Sequence, residues 1–208
     1  MNIRLLKIII WLFVFYILLM LPILSLSHSN IWYEYNIQTD NTSILVEESV
    51  IENATNNLIS YFYYKENLDR TLWSKKEVTH YKDVRSLFLI GTILLILLLI
   101  IVIINSKILT HNIKTFFILN IITIIILSSF IGIFFDLFWN KIFHNILFSN
   151  DLWIMGIDDL SYYIFKEDFF KRTSLAIGIL FIIENIILSG IIHLYNKKSL
   201  YKKQELNS

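Results

Sequence analysis

His80 and Asp83 are the first residues of this sequence whose types and spacing could do chemistry. They lie in a polar stretch, residues 74–85, just before a long apolar run that begins at Leu87. In a helix, an i, i+3 spacing places both side chains on one face, where the carboxylate could orient or charge-stabilise the imidazole. A titratable pair at the edge of an apolar run indicates proton-transfer chemistry at a membrane surface.

His144 is a second candidate, in Phe143-His144-Asn145-Ile146-Leu147-Phe148, beyond the end of another apolar run. Two histidines at matching positions beside different runs favour general acid–base catalysis. Two alternatives stay open. Each ring could be an interfacial anchor, or His80, Asp83 and His144 could hold a metal ion, although no H-E-x-x-H spacing supports a metal. The other histidines, at positions 28, 111 and 193, lack a matching partner.

Four apolar runs must position these residues. The chain has 208 residues, of which 56% are hydrophobic, and the runs are residues 8–26, 87–104, 115–135 and 175–194. About 20 apolar residues cross a bilayer as a helix, so the sequence predicts an all-α membrane protein with four transmembrane helices. For the first run a cleaved signal peptide is the alternative, because Ser25-Leu26-Ser27 has small residues at cleavage-like positions.

Polar segments separate the runs. Two are long, residues 27–86 and 136–174, and we expect them to form an extracytoplasmic cap. Residues 105–114 are predicted to form a loop that joins the second and third spans into a hairpin over residues 87–135. The first span with a short N-terminal extension takes up residues 1–26, and a tail at residues 195–208 follows the fourth.

The first long segment contains two predicted helices. An amphipathic helix over residues 47–64 is indicated by apolar residues at i, i+4, i+8 and i+11. These residues are Val50, Ala54, Leu58 and Tyr61. Ser74 followed by Glu77 is a capping box, so the helix that carries His80 should begin there and continue into the membrane. Residues 31–37 favour a short extended stretch.

The basic residues predict an orientation. Eight of the 18 lysines and arginines fall in the two chain ends and the short loop, which total about thirty residues. The two long segments hold the other ten, together with 15 of the 17 acids. Since short cytoplasmic segments are enriched in positive charge, both termini are expected in the cytoplasm. His80 and His144 would then face the same extracytoplasmic side.

Composition excludes several classes of mechanism. The chain has no cysteine, which excludes disulfides, a cysteine acyl-enzyme and thiolate metal sites. Its net charge of +1 is uninformative about nucleic acid, but the basic residues are scattered rather than clustered, so no nucleic-acid partner is expected.

Two blocks of residues carry a family resemblance. The first is His80-Tyr81-Lys82-Asp83-Val84-Arg85, and the second is Phe143-His144 followed by Phe148, Trp153, Asp159-Leu160 and Phe169-Phe170. The first looks like an H-x-x-D-V motif and the second like a matching later block of the bacterial lipoprotein intramolecular transacylases, an integral-membrane family. The four-span layout is similar along nearly the whole chain. Family prolines after Trp153 and before Phe169 are absent, with Ile157 and Lys166 near those places.

The resemblance implies an acyl shift within one substrate molecule, a diacylglyceryl-modified lipoprotein. The sn-2 acyl chain would move to the α-amino group of the N-terminal cysteine, with no cofactor or metal. His80 and His144 would share the roles of general base and acid, with neither role assigned to a particular histidine. Supporting residues would be Asp83, Tyr81 and Arg85, and pocket candidates are Trp139, Phe143 and Trp153. The expected partners are lipoproteins and membrane lipid. The alternative is a non-catalytic accessory or assembly protein with a lipid-contacting cap.

Glu184 lies near the middle of the fourth run. An ionised carboxylate there costs about 2.5–3.5 kcal/mol on insertion scales. We therefore expect Glu184 to face the interior of the helix bundle, protonated or hydrogen-bonded to Thr123 or Ser128, in a structural role.

Overall fold

The computed structural model describes residues 3–205, except for the side chains of residue 43 and of residues 199–205. All the regular secondary structure in this range is helical. In chain order the α-helices are α1 Ile3–Ser27, α2 Asn30–Thr39, α3 Glu48–Phe62, α4 Lys75–Ile104, α5 Ser106–Ile133, α6 Phe135–Leu137, α7 His144–Leu147, α8 Leu160–Ile164 and α9 Glu167–Glu205. A 3₁₀ turn at Thr42–Ile44 and a π-helical turn at Phe138–Phe143 complete the elements. The predicted all-α class is confirmed. Residues 1–2 of the predicted N-terminal extension, and residues 206–208 with the tail side chains from 199 on, lie outside the described residues.

Four helices are long and apolar enough to cross a membrane: α1, α4, α5 and α9. Many of their large apolar side chains are exposed; Ile90 of α4 is 61% exposed and Ile126 of α5 is 62% exposed. A soluble protein rarely presents such a surface to water, whereas lipid solvates it. The four predicted spans are confirmed, and the chain is an integral membrane protein.

The chain divides into two compact units by its internal contacts. Unit 1 comprises Met1–Pro22, Thr92–Ser129 and Ala176–Ser208, and unit 2 comprises Ile23–Gly91 and Phe130–Leu175. Unit 1 therefore holds most of the apolar helical sequence, and unit 2 holds both predicted polar segments.

The core of unit 1 combines aliphatic packing with one polar network. Its buried side chains include Ile10, Val14, Leu18, Val102, Ile113, Phe116 and Phe181. Among them, Asn120 donates to Asn185 Oδ1 at 3.0 Å and accepts from Trp11 Nε1 at 2.8 Å. Asn185 in turn donates to the Phe117 carbonyl at 3.3 Å. In an apolar medium each of these groups needs a partner, so the network ties α1, α5 and α9 together.

Helix α3 packs its apolar face into the core of unit 2. The buried residues from α3 are Ile51, Ala54, Leu58, Ile59, Tyr61 and Phe62, and they join Val78 and Tyr81 of α4, Trp73, Ile164 and Phe169. The predicted amphipathic helix over residues 47–64 thus corresponds to α3, with bounds shifted by one or two residues. Its burial fixes the first turns of α4, which carry His80.

The loop predicted at residues 105–114 is wrong, because α4 ends at Ile104 and α5 begins at Ser106. Only Asn105 separates the two helices. Polar residues suggested a loop here, but their side chains form hydrogen bonds within their own helix, about one turn back. Asn112 Nδ2 donates to the Ile108 carbonyl at 2.8 Å. Side chains that bond to their own helix destabilise it only slightly, so they do not end it.

The extended stretch predicted at residues 31–37 is also wrong, because these residues belong to α2. Ser29 caps this helix and accepts a hydrogen bond from the Trp32 N–H. Tyr33 and Asn36, three residues apart, are both buried on one helix face. Burial at helical spacing outweighs the strand preference of the aromatic residues.

Helix α9 begins eight residues before the predicted fourth span, at Glu167 rather than residue 175. Glu167 and Asp168 occupy its first turn, where negative charge is favourable, and Lys171 pairs with Glu167 one turn later. The second polar segment is therefore largely helical, with α6, the π-helical turn, α7, α8 and the start of α9.

Candidate active site

Helix α4 holds His80 through the capping box predicted from its sequence. The Ser74 N–H donates to Glu77 Oε2 at 2.7 Å, and the Glu77 N–H donates to Ser74 Oγ at 3.3 Å. These two backbone N–H groups at the start of α4 have no partner within the helix, and the side chains satisfy them as the predicted capping box requires. His80 follows within the next turn.

Glu77 has a second role that the capping pattern did not indicate. Its side chain is 1% exposed, and Oε1 accepts hydrogen bonds from the N–H (2.7 Å) and the hydroxyl of Ser161 at the start of α8. Because the Ser161 hydroxyl donates to Glu77, Tyr81 donates its own hydroxyl to Ser161 Oγ, at 2.5 Å. The carboxylate therefore joins α4 to α8.

Asp159 strengthens the same connection. It accepts from the Gly156 N–H at 2.9 Å, Ser74 Oγ at 2.8 Å and Lys76 Nζ at 3.2 Å. Burial of Asp159 opposes ionisation, but these hydrogen bonds and the Lys76 charge outweigh it and lower the pKa of the carboxyl below its usual range. Residues 156–161 are thereby fixed to the beginning of α4.

His144 is positioned by a local π-helical turn. The Trp139 carbonyl accepts the backbone N–H of His144, five residues later, and also lies 2.6 Å from His144 Nδ1. A carbonyl oxygen only accepts, so Nδ1 carries the hydrogen and Nε2 of the neutral ring keeps its lone pair. Such turns often occur at functional sites.

Aromatic rings surround His144 and extend to His80. The Trp153 ring stacks on His144 at 4.1 Å, while Trp139 and Phe143 meet it edge-on at 4.7 and 5.3 Å. Phe148 contacts both histidines, with its ring centre 5.7 Å from His144 and 5.0 Å from His80. The structure thus brings the two predicted histidines and the three predicted pocket residues together; we call this group the histidine chamber.

The electrostatics of the histidine chamber favour neutral imidazoles. Burial lowers the pKa of His144, which is 5% exposed. His80 precedes the apolar run by seven residues; burial lowers its pKa to about 4, with a smaller contribution from the His144 charge. The nearby Asp83 opposes this shift. At neutral pH both rings are therefore free to accept a proton.

Asp83 does not hydrogen-bond to His80. Its Oδ2 accepts from Asn150 Nδ2 at 3.1 Å, while the Asn150 Oδ1 accepts from the Leu152 N–H. His80 Nδ1 is buried without a hydrogen-bond partner. The contact expected between carboxylate and imidazole is thus replaced by one to the loop that leads to Trp153. Sequence spacing could indicate the shared face but not this partner.

Tyr81 and Arg85 form their polar contacts outside the histidine chamber. Tyr81 is buried, and its hydroxyl bonds to Ser161. The Arg85 guanidinium stacks on Tyr61 at 3.7 Å and on Tyr64 at 4.7 Å. The Tyr81 ring lies 5.8 Å from that of His80, but its hydroxyl is engaged by Ser161. We therefore assign Tyr81 and Arg85 to the support of α4.

The metal alternative finds no geometric support. Within residues 3–205, no three His, Cys, Asp or Glu side chains gather closely enough to hold a metal ion. His80, Asp83 and His144 therefore do not form the three-ligand set considered from the sequence.

Glu184 belongs to unit 1 and lines an apolar cavity of about 470 Å³ with residues of α1, α4, α5 and α9. It is half-buried, and its Oε2 has no hydrogen-bond partner. The expected hydrogen bond to Thr123 or Ser128 is not formed at this oxygen.

Comparisons with known proteins agree with this description. The family model of the lipoprotein intramolecular transacylase Lit matches residues 6–170. A solved structure of the membrane-integral lipoprotein intramolecular transacylase Lit from Bacillus cereus is similar, with a TM-score of 0.79 and 23% identity over 98% of this chain and 97% of that one. A histidine-to-alanine variant of that protein has a TM-score of 0.78 and 21% identity, with 95% of each chain covered. A search of the curated proteins finds no significant match.

The structural matches support the fold, and the family match covers well over half of the chain and both histidines. It also sets aside the alternative of a non-catalytic accessory protein. The chain thus belongs to the lipoprotein intramolecular transacylase family, as a multi-pass acyltransferase of the bacterial membrane.

Proposed function

We propose that this protein moves the sn-2 acyl chain of a diacylglyceryl-cysteine to the α-amino group of the same cysteine, which gives an N-acyl lyso-lipoprotein. His80 and His144 carry the proton transfers. The observation that supports this most is the position of Phe148, whose ring contacts both histidines and so places them in one chamber. The family's action on lipoproteins supplies the substrate class.

The reaction needs one proton moved from nitrogen to oxygen. The amine attacks the ester carbonyl, the C–N bond forms, the C–O bond to the glycerol breaks, and the nitrogen loses the proton that the glyceryl oxygen gains. The α-amine has a pKa of roughly 7.7–8.0, so a useful fraction is free base near neutral pH. A base is needed as the nitrogen becomes positively charged, and an acid as the alkoxide leaves.

His144 fits the base. Its Nδ1–H is engaged by the Trp139 carbonyl, so Nε2 is the atom that accepts the proton. The carbonyl also stabilises the imidazolium that results. Stacking on Trp153 fixes the plane of the ring.

His80 fits the second group. The proton that His144 takes from the amine passes across the bound substrate to His80, and His80 gives it to the glyceryl oxygen as the C–O bond breaks. A positive charge on His144 lowers the pKa of His80, which disfavours protonation of both rings at once. One proton is moved, and both rings end neutral as they began. Because donor and acceptor belong to one substrate, holding them together contributes much of the rate, and neither a covalent intermediate nor a cofactor is required.

A differentially acylated substrate tests the chemistry. A diacylglyceryl lipopeptide with palmitate at sn-1 and oleate at sn-2 is incubated with purified protein in detergent, and the products are sequenced by mass spectrometry. Oleate on nitrogen with palmitate left on the glycerol is expected. Palmitate on nitrogen, or release of free fatty acid as the main product, would contradict the proposal. The His144→Asn variant serves as the inactive control.

We also propose that both termini face the cytoplasm and that the histidine chamber lies on the extracytoplasmic side, as the distribution of basic residues predicts. Reporter fusions near residues 60, 110, 150 and 205 would measure this. Residues near 60 and 150 should report outside, and those near 110 and 205 inside. An outside signal at 110 or 205 would disprove the orientation.

A further inference from the structure

Unit 2 contains a second cavity of about 320 Å³, lined in part by Arg70, Lys82 and Arg85. Its volume lies within the roughly 300–1,000 Å³ of typical ligand sites. Lys82 and Arg85 follow His80 by two and five residues on α4, which places them about 200° and about 140° around the helix from it. The cavity is therefore on the side of α4 away from the histidine chamber.

The charge of this cavity is uniformly positive. No acidic residue lines it, and within the described residues no ion pair involves Arg70, Lys82 or Arg85. The Arg85 guanidinium is held in place by the rings of Tyr61 and Tyr64 and by the Tyr61 carbonyl, which accepts from Nη1 at 3.4 Å. Three cations without a carboxylate partner form a site for an anion.

Tyr61 also lines the cavity, and its ring and backbone hold Arg85 in place there. Its side chain is 2% exposed, and its hydroxyl is buried without a hydrogen-bond partner. Because the hydroxyl is closed to solvent, the charge of the cavity comes from Arg70, Lys82 and Arg85 and not from Tyr61.

The depth of the cavity indicates which anion. Arg85 precedes Leu87, the first residue of the apolar run in α4, by two residues or about 3 Å of helix. Basic side chains at this level meet the phosphate groups of lipids. We propose that the cavity formed around Tyr61, Arg70, Lys82 and Arg85 binds the phosphate diester of an anionic phospholipid. This site is independent of the proposed acyl transfer.

Native mass spectrometry of the full-length protein in detergent tests the proposal with three probes: phosphatidylglycerol, phosphatidylcholine and inorganic phosphate. Phosphatidylglycerol should bind, and more tightly than phosphatidylcholine, because the three cations of the cavity repel the positive choline group. Loss of one cation should weaken binding by about fivefold, as expected for a basic residue at a membrane surface. Arg70→Gln and Lys82→Gln are the variants.

Lys75→Gln is the matched control, because Lys75 is an exposed cation of the same helix that does not line the cavity. Its affinity should be unchanged, and thermal unfolding of each variant shows that it is folded. Equal affinity for both lipids, or variants that bind as tightly as the parent, would overturn the proposal. Saturation by inorganic phosphate with no binding of phosphatidylglycerol would assign the cavity to a soluble anion and overturn it as well.

Discussion

The asparagine pair of unit 1 and the histidine pair of unit 2 differ in their hydrogen bonding. Asn120 and Asn185 of unit 1 are 0% and 1% exposed, bond to each other, and fill their remaining positions with Trp11 and the Phe117 carbonyl. His80 and His144 of unit 2 are not hydrogen-bonded to each other in the described structure, and His80 Nδ1 has no partner.

The difference distinguishes a pair that stabilises the fold from a pair that can take part in a reaction. A fully satisfied network stabilises helix packing and has no free site for a substrate. A histidine pair with unused lone pairs is more costly to bury, but it can accept protons from a substrate. Substitutions in the two pairs should therefore alter different properties.

The largest expected effect comes from the histidines. His80→Asn or His144→Asn should each lower kcat by about 10²–10⁴-fold, or ~3–5 kcal/mol of barrier, because each removes one step of the proton transfer. The double variant should lose little more, since the two act as a unit. Conversion of a diacyl lipopeptide to its N-acyl lyso form is the assay.

His111→Asn is the control for these variants, because His111 is an exposed histidine of α5 outside the histidine chamber. It should keep the parental rate. A single variant at His80 or His144 that is folded and retains near-parental turnover would end the two-histidine mechanism.

Glu77→Ala should give the largest loss of stability. It leaves the N–H and hydroxyl of Ser161 without their acceptor and removes half of the capping box, at a combined cost of about 2–4 kcal/mol. Thermal unfolding in detergent should show a lower midpoint. Glu52→Ala, at an exposed position of α3, is the comparison; equal midpoints for both variants would show that Glu77 does not join α4 to α8.

Asn120→Ala should destabilise the protein by about 1–3 kcal/mol, because Asn185 and Trp11 lose their buried partner. At a temperature where the variant is folded, kcat should stay close to the parental value. A large fall in kcat with an unchanged unfolding midpoint would show that the asparagine pair takes part in the reaction.

Asp83→Asn should have a smaller effect on rate, within about tenfold, because an amide oxygen can still accept from Asn150 while the carboxylate charge near His80 is lost. Asp83→Leu, which cannot accept, should be worse and should also raise KM by loosening the loop that carries Trp153. Equal rates for the two variants would show that the Asn150 contact is irrelevant to catalysis.

The last prediction concerns pH rather than a substitution. Burial lowers the pKa of His80 to about 4, so this ring stays neutral as pH falls past 6.5, and burial also lowers the pKa of His144. The free-amine fraction of the substrate decreases over the same range, and log kcat/KM should fall with a slope of about one as pH falls from roughly 7 through 6.5. A histidine of ordinary pKa would steepen the slope toward two below 6.5, and that result would contradict the lowered values.

The sequence alone was sufficient for the features that depend on local pattern. Apolar runs of span length predicted the four long helices, because the membrane requires that length and composition. The capping box of Ser74 and Glu77 depends on residues three apart, and it is present. His80 and His144 stood out because titratable side chains beside apolar runs are costly and hence informative.

Tertiary structure decided what depends on partners distant in sequence. The stretch 31–37 became helix α2 because Tyr33 and Asn36 are buried together, and residues 106–114 became helix because their polar groups bond within it. Asp83 bonds to Asn150, 67 residues away, rather than to His80. Local spacing shows which side chains share a helix face. Only folding brings residues that are distant in sequence against that face, and hydrogen-bond geometry then determines which of them becomes the partner.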